Sequence, residues 1–238
     1  MCVTNDDDLA VRTGAALDIA ALAAAMIGAL TVAFGHSSLS APESYTAAGA
    51  LAVLLAPLFV PVSPRAGAPL RLIACAAAAA LLVVSAGFLL APRAIPVAGV
   101  AAVGAVTFAI VLASSAALLL LSRSNLVRGR AAALEAGRFA LVGTIAFAGS
   151  APLWLGPVAS GSPGREAIAD TLLAASPLIH LAVAAGADLL RSPWFYEHTS
   201  VGSLRFSYPQ PWLATLVYLM VAAALCIPAL RYRQESHA

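Results

Sequence analysis

The feature that most constrains this chain is a series of apolar runs, each about as long as a bilayer's hydrocarbon is thick, with almost no charge inside them. A helix rises 1.5 Å per residue, so crossing roughly 30 Å of hydrocarbon takes about 20 mostly apolar residues. Seven such segments can be marked, at 15–35, 46–62, 70–91, 96–121, 132–157, 167–190 and 210–230. Turn-forming clusters separate them, among them Ser37-Ser38-Leu39-Ser40-Ala41-Pro42-Glu43, Ser122-Arg123-Ser124-Asn125 and Ser160-Gly161-Ser162-Pro163-Gly164. Strands of a membrane barrel would alternate apolar and polar residues, and runs such as Leu70 to Ala91 do not. The expected fold is therefore all-α, a polytopic membrane helix bundle of six or seven transmembrane helices forming one domain over 1–238.

Composition agrees with this and narrows the function. With 61% hydrophobic and 10% charged residues, the chain is well beyond the roughly 45–50% apolar content of a soluble domain. Seven spans leave no length for a soluble nucleotide-binding or catalytic module. The net charge of +2 is spread over short loops, without the basic stripe that a nucleic-acid face requires. Cys2, Cys75 and Cys226 are too scattered for a disulfide framework or a zinc site. The first fourteen residues carry Asp6, Asp7 and Asp8 against Arg12, unlike the basic opening of a cleaved signal, so 15–35 is expected to remain as a helix.

The weakest span is 46–62, where Pro57 and Pro61 fall in only 17 residues. A broken or re-entrant helix is the alternative there, tolerable where neighbours satisfy the freed carbonyls. Orientation follows from the excess of Arg on the cytoplasmic side. Seven spans with the N-terminus inside put nine Arg there: Arg12, Arg65, Arg71, Arg123, Arg128, Arg130, Arg138, Arg191 and Arg205. Four fall outside, Arg93, Arg165, Arg231 and Arg233. The last pair opposes the count, and if one segment does not span, the C-terminal tail returns to the cytoplasm.

Three intramembrane polar residues stand out. His180 sits in the sixth segment, where an unpartnered imidazole is costly, so it either bonds a neighbouring helix or a carbonyl released by Pro177, or serves as a haem ligand, proton relay or quinone donor. Two-histidine haem ligation within the chain lacks a partner at matching depth, because His36, His198 and His237 lie at a helix end, in a loop and in the tail. Asp188 with Arg191, and Glu135 with Arg138, are spaced i,i+3 near segment ends and read as self-neutralising interfacial pairs, or else as a partner contact or proton entrance. Asp18 lies just inside the first segment and reads as a helix-start residue or an ion-handling group.

The stretch from Arg191 to Trp212 contains six of the sixteen aromatics, Trp194, Phe195, Tyr196, Phe206, Tyr208 and Trp212, broken by Pro193, Pro209 and Pro211. Such rings favour the headgroup level, so 191–209 is expected to be an interfacial loop for lipid or a docking partner. No metal site, nucleophile elbow, zinc helix or phosphate loop is present, so no enzymatic activity is expected.

A small polytopic chain of this kind is expected to be the permease-like transmembrane subunit of a bacterial inner-membrane transporter. A separate subunit such as a cytoplasmic ATPase would contact Arg123, Arg128 and Arg130, and the cargo would be hydrophobic or lipidic. The alternative is a non-catalytic or cofactor-supporting subunit of a respiratory or photosynthetic complex. His180 would then face haem, pigment or quinone, and only under that alternative is a cofactor expected.

Overall fold

The structure is a computed structural model that describes residues 40–60, 68–90, 95–124, 131–151, 165–191 and 207–235. Helix dominates the described residues, and no strand occurs among them. In chain order the helices are α1 (Ala41–Phe59), α2 (Ala68–Leu90), α3 (Val97–Arg123), α4 (Ala131–Gly149), α5 (Arg165–Ala175), α6 (Pro177–Ala185) and α7 (Pro211–Glu235), with a 3-10 turn at Leu189–Arg191 between α6 and α7. Ala and Leu, which supply most of these residues, are among the strongest helix formers.

Local chemistry explains where the helices start and stop. The carboxylate of Glu43 accepts from both the backbone N–H and the hydroxyl of Ser40, each at 2.8 Å. Pro42 occupies the first turn, where a missing N–H costs nothing. This cap starts α1 at Ala41, five residues before the apolar run expected at 46–62. The expected helix over 167–190 is two helices, α5 and α6, which meet at 81°. Pro177 lacks an N–H and disfavours helical geometry at Ser176, which adopts φ −86 and ψ 113. α6 ends at Gly186, whose φ of 76 lies in the left-handed region. There the Gly186 and Ala187 N–H groups bond the Val183 and Ala182 carbonyls at 3.1 and 2.8 Å, closing the last turn.

Four helical segments are long and apolar enough to cross a membrane, Leu70–Phe88, Val97–Arg123, Ala132–Gly149 and Pro211–Pro228, and the bent α5–α6 pair makes a fifth if taken as one span. α1 is not among them, because its first turns carry Glu43, Ser44, Tyr45 and Thr46. Large apolar side chains including Leu70, Leu81, Phe139, Phe147, Trp212 and Met220 face outward. An apolar exterior around an apolar interior is consistent with a membrane helix bundle.

α3 is the axis of the bundle, with α1, α2, α4, α6 and α7 all packed against it. Some 72% of its spanning window is buried, against 39% for α2, 11% for α7 and none for α4. Contacts fix the directions. Tyr45 reaches the Val100 carbonyl and Gly49 faces Val103, so α1 runs with α3. Ala102 and Ala105 face Trp212, and Ala113 and Ala116 cluster with Ala222, so α7 also runs with α3. α2 runs against it, with Leu72 and Cys75 beside Leu119 and Val84 beside Gly104.

α6 is antiparallel to α3 as well. Leu181 shares the Gly49 contact with Val103, and the Ala184 carbonyl faces Gly99. α4 starts beside the end of α3, where Gly137 faces Leu121. It finishes at Gly149, whose carbonyl accepts from the Ser176 hydroxyl at the head of α6, at 3.3 Å. α4 and α6 therefore point the same way, and α6 takes up where α4 stops. As a result α7 ends, past Arg231 and Arg233, at the end of the bundle where α3 ends at Arg123.

Candidate functional site

The α5–α6 break creates the most structured polar site among the described residues. Ser176 caps α6, accepting from the Ile179 N–H at 3.4 Å while donating to Gly149, so one hydroxyl ties together the break and the end of α4. Its carbonyl accepts from the His180 N–H at 3.2 Å. His180 is thereby held in the first turn of α6, not in the middle of a long span, and only 4% of its surface is exposed.

The His180 ring crosses to α7. Nδ1 lies 3.1 Å from the Tyr218 hydroxyl, and the two rings meet edge to face with centroids 5.6 Å apart. The pair joins α6 to α7. The described residues contain no cluster of three or more His, Cys, Asp or Glu able to hold a metal.

Asp188 is placed outside the buried core, just past Gly186. One of its oxygens accepts from the Tyr208 hydroxyl and from the Arg191 N–H, the latter at 3.2 Å, while the other lies 3.7 Å from Arg191 Nε. The pairing with Arg191 expected from the spacing is present, but Tyr208 is an added partner. Burial, reinforced by the hydrogen bond to Asp188 and its negative charge, holds the Tyr208 phenol well above its usual pKa, so it remains a donor. Asp170 of α5 accepts from the Ser207 N–H at 3.0 Å. Two carboxylates thus pin residues 207 and 208 over the α5–α6 elbow, where Ala169, Leu173, Ile179 and Leu190 form a small core.

Glu135 and Arg138 make their expected contact at 3.4 Å. The Arg138 guanidinium has a larger role: Nη1 and Nη2 donate to the Leu58 and Val60 carbonyls at 3.0 and 2.9 Å. It closes the C-terminal end of α1, where the helix leaves acceptors free and a cation is favoured. Arg123 ends α3. Trp212 stands exposed in the first turn of α7. Asp18, Arg128, Arg130, Trp194, Phe195, Tyr196 and Phe206 lie outside the described residues.

Sequence reasoning missed Tyr218 and Tyr45. Tyr45 is fully buried, its ring against Gly87, where an added Cβ would come within 2.8 Å. A phenol within an apolar run was the available signal for Tyr218, whereas Tyr45 stands among Glu43, Ser44 and Thr46 and carries no such signal. No family model matches this chain, and no curated protein or solved structure matches it.

Proposed function

We propose that this chain is the permease-type membrane subunit of a multi-subunit transporter in a bacterial cytoplasmic membrane, energised by a separate subunit such as a cytoplasmic ATPase. The observation that carries the reading is the discontinuous helix at Ser176–Pro177, with the end of α4 against it and the His180–Tyr218 pair one turn away. Interrupted helices are costly in hydrocarbon unless protein or a pathway satisfies the exposed backbone, and they recur where transporters bind and move their cargo. The fully buried polar side chains among the described residues are hydroxyls and one His, with no Asp, Glu or Arg. That favours a hydrophobic or lipidic cargo over an ion. Arg138 is committed to α1, so Arg123, Arg128 and Arg130 are the partner-facing cations on this reading.

We further infer six crossings, with α1 crossing despite its polar first turns and α4 and α6, which run end to end in one direction, counted as one: segment 15–35, α1, α2, α3, the α4–α6 pair and α7. With the N-terminus inside, the cytoplasmic side then holds nine Arg, now including Arg231 and Arg233, while Arg93, Arg165, Arg191 and Arg205 lie outside. The excess keeps its size, and the C-terminal pair no longer opposes it.

Affinity purification from native membranes tests the proposal. An ATPase should copurify, and the reconstituted complex should move a fluorescent lipid or apolar probe only with ATP. Copurification with a pigmented complex showing a Soret band, or isolation without a nucleotide-hydrolysing partner and without ATP-driven movement, would overturn it.

A further inference from the structure

Among the described residues, the central helix is open at one place. Near its start, Val97, Ala98, Ala101 and Ala105 of α3 are exposed, although most of the helix is buried. These side chains, three of them alanine, lie on one stripe about 12 Å long at 1.5 Å per residue. Opposite them α7 begins, and between the two helices lies a groove of about 360 Å³ lined by Ala102, Ala105, Pro211, Trp212, Thr215 and Leu216. Its origin is steric. Two alanines on α3 leave room that Trp212 does not fill, because its ring stands outward, 61% exposed.

The lining chemistry decides the occupant. Its one hydroxyl, Thr215 Oγ1, donates to the Pro211 carbonyl at 2.8 Å, so these two polar groups satisfy each other. Water in the groove would find too few partners, since an ordered water needs two to four. The rim continues into Leu213, Leu216 and Val217, exposed apolar residues of the outer face of α7. Trp212 is of the residue type that favours the headgroup level. The volume is within the roughly 300–1,000 Å³ of sites that enclose small ligands.

We propose that this groove between α3 and α7 is a lipid site holding one acyl chain of a membrane phospholipid, with Trp212 at its mouth. The chain covers Ala105, where the described helices leave the central helix exposed. The site stands whether or not the protein belongs to a transporter.

A single-tryptophan protein, with Trp154→Phe and Trp194→Phe, reports on the site through Trp212. In phosphatidylcholine vesicles with increasing content of brominated acyl chains, quenching of Trp212 should saturate early, and native mass spectrometry should retain one phospholipid per chain. Ala105→Phe, which fills the groove, should abolish both the early saturation and the retained lipid. Ala102→Leu, a milder filling, should weaken both and guards against misfolding of the larger substitution. Quenching that merely tracks the bulk brominated fraction and is unchanged in both variants would reduce the groove to ordinary lipid contact and overturn the proposal. So would a retained lipid that survives both substitutions.

Discussion

His180 was legible as a polar residue that must face protein, since its run offers no other destination for an imidazole. Its partner was not legible, because Tyr218 lies 38 residues further along and a Tyr in an apolar run reads equally well as an interfacial ring. The same limit applies to Asp188, whose Arg191 partner follows from i,i+3 spacing but whose Tyr208 partner lies 20 residues further along. The His180–Tyr218 bond is short, enclosed and shared between two helices, so removing either partner leaves the other unsatisfied. Tyr218→Phe and His180→Leu should each destabilise the protein by about 1–3 kcal/mol, the usual cost of an unpaired buried polar group. The double variant should cost less than the sum, with a coupling of roughly 0.6–1.7 kcal/mol, as measured between helices in membranes. Unfolding in mixed micelles gives all three values, and strictly additive losses would refute the bond. Thr107 and Ser115 have buried hydroxyls with no hydrogen-bond partner among the described residues, and nothing in the structure explains them.

At the scale of elements, the runs at 70–91 and 96–121 were readable to within two residues, because length and apolar continuity are all that a span of this kind requires. The boundaries that moved were those set by polar chemistry. The cap at Ser40 and Glu43 belongs to α1 and not to a turn, and the Ser176-Pro177 pair, a helix start in its own right, divides a segment whose hydropathy is continuous. α1 is also short at its other end, and Arg138 from α4 compensates by holding the carbonyls of Leu58 and Val60. Spacing alone paired Arg138 with Glu135, which is the weaker and half-exposed of its contacts. Arg138→Leu should therefore cost about 1–3 kcal/mol through two carbonyls left without donors. Arg138→Lys should recover part of that, since a single ammonium cannot reproduce the two-pronged fork. Glu135→Gln should cost under about 1 kcal/mol, as exposed ion pairs do. Thermal unfolding of the three variants checks the order, and a Glu135→Gln loss equal to that of Arg138→Leu would show that the ion pair, not the helix cap, is what matters.

For the whole molecule, the class of fold was legible and the relative direction of its helices was not. Counting apolar runs treats each as one crossing, which places Arg231 and Arg233 on the side opposite Arg123. The structure runs α7 parallel to α3, because α4 and α6 follow one another in a single direction and α5 turns aside between them. Hydropathy cannot see this, since it reports how apolar a segment is and not which way it runs. Parallel α3 and α7 must deliver their C-terminal ends to the same side, whichever side that is. On the proposed topology the Arg excess makes that side the cytoplasm. A reporter fused after Glu235 should therefore be cytoplasmic, on the same side as one inserted after Arg128, while a reporter inserted at Gly202 should be periplasmic. A periplasmic C-terminal reporter with a cytoplasmic one after Arg128 would restore seven crossings and would mean that α7 cannot lie parallel to α3 in the membrane.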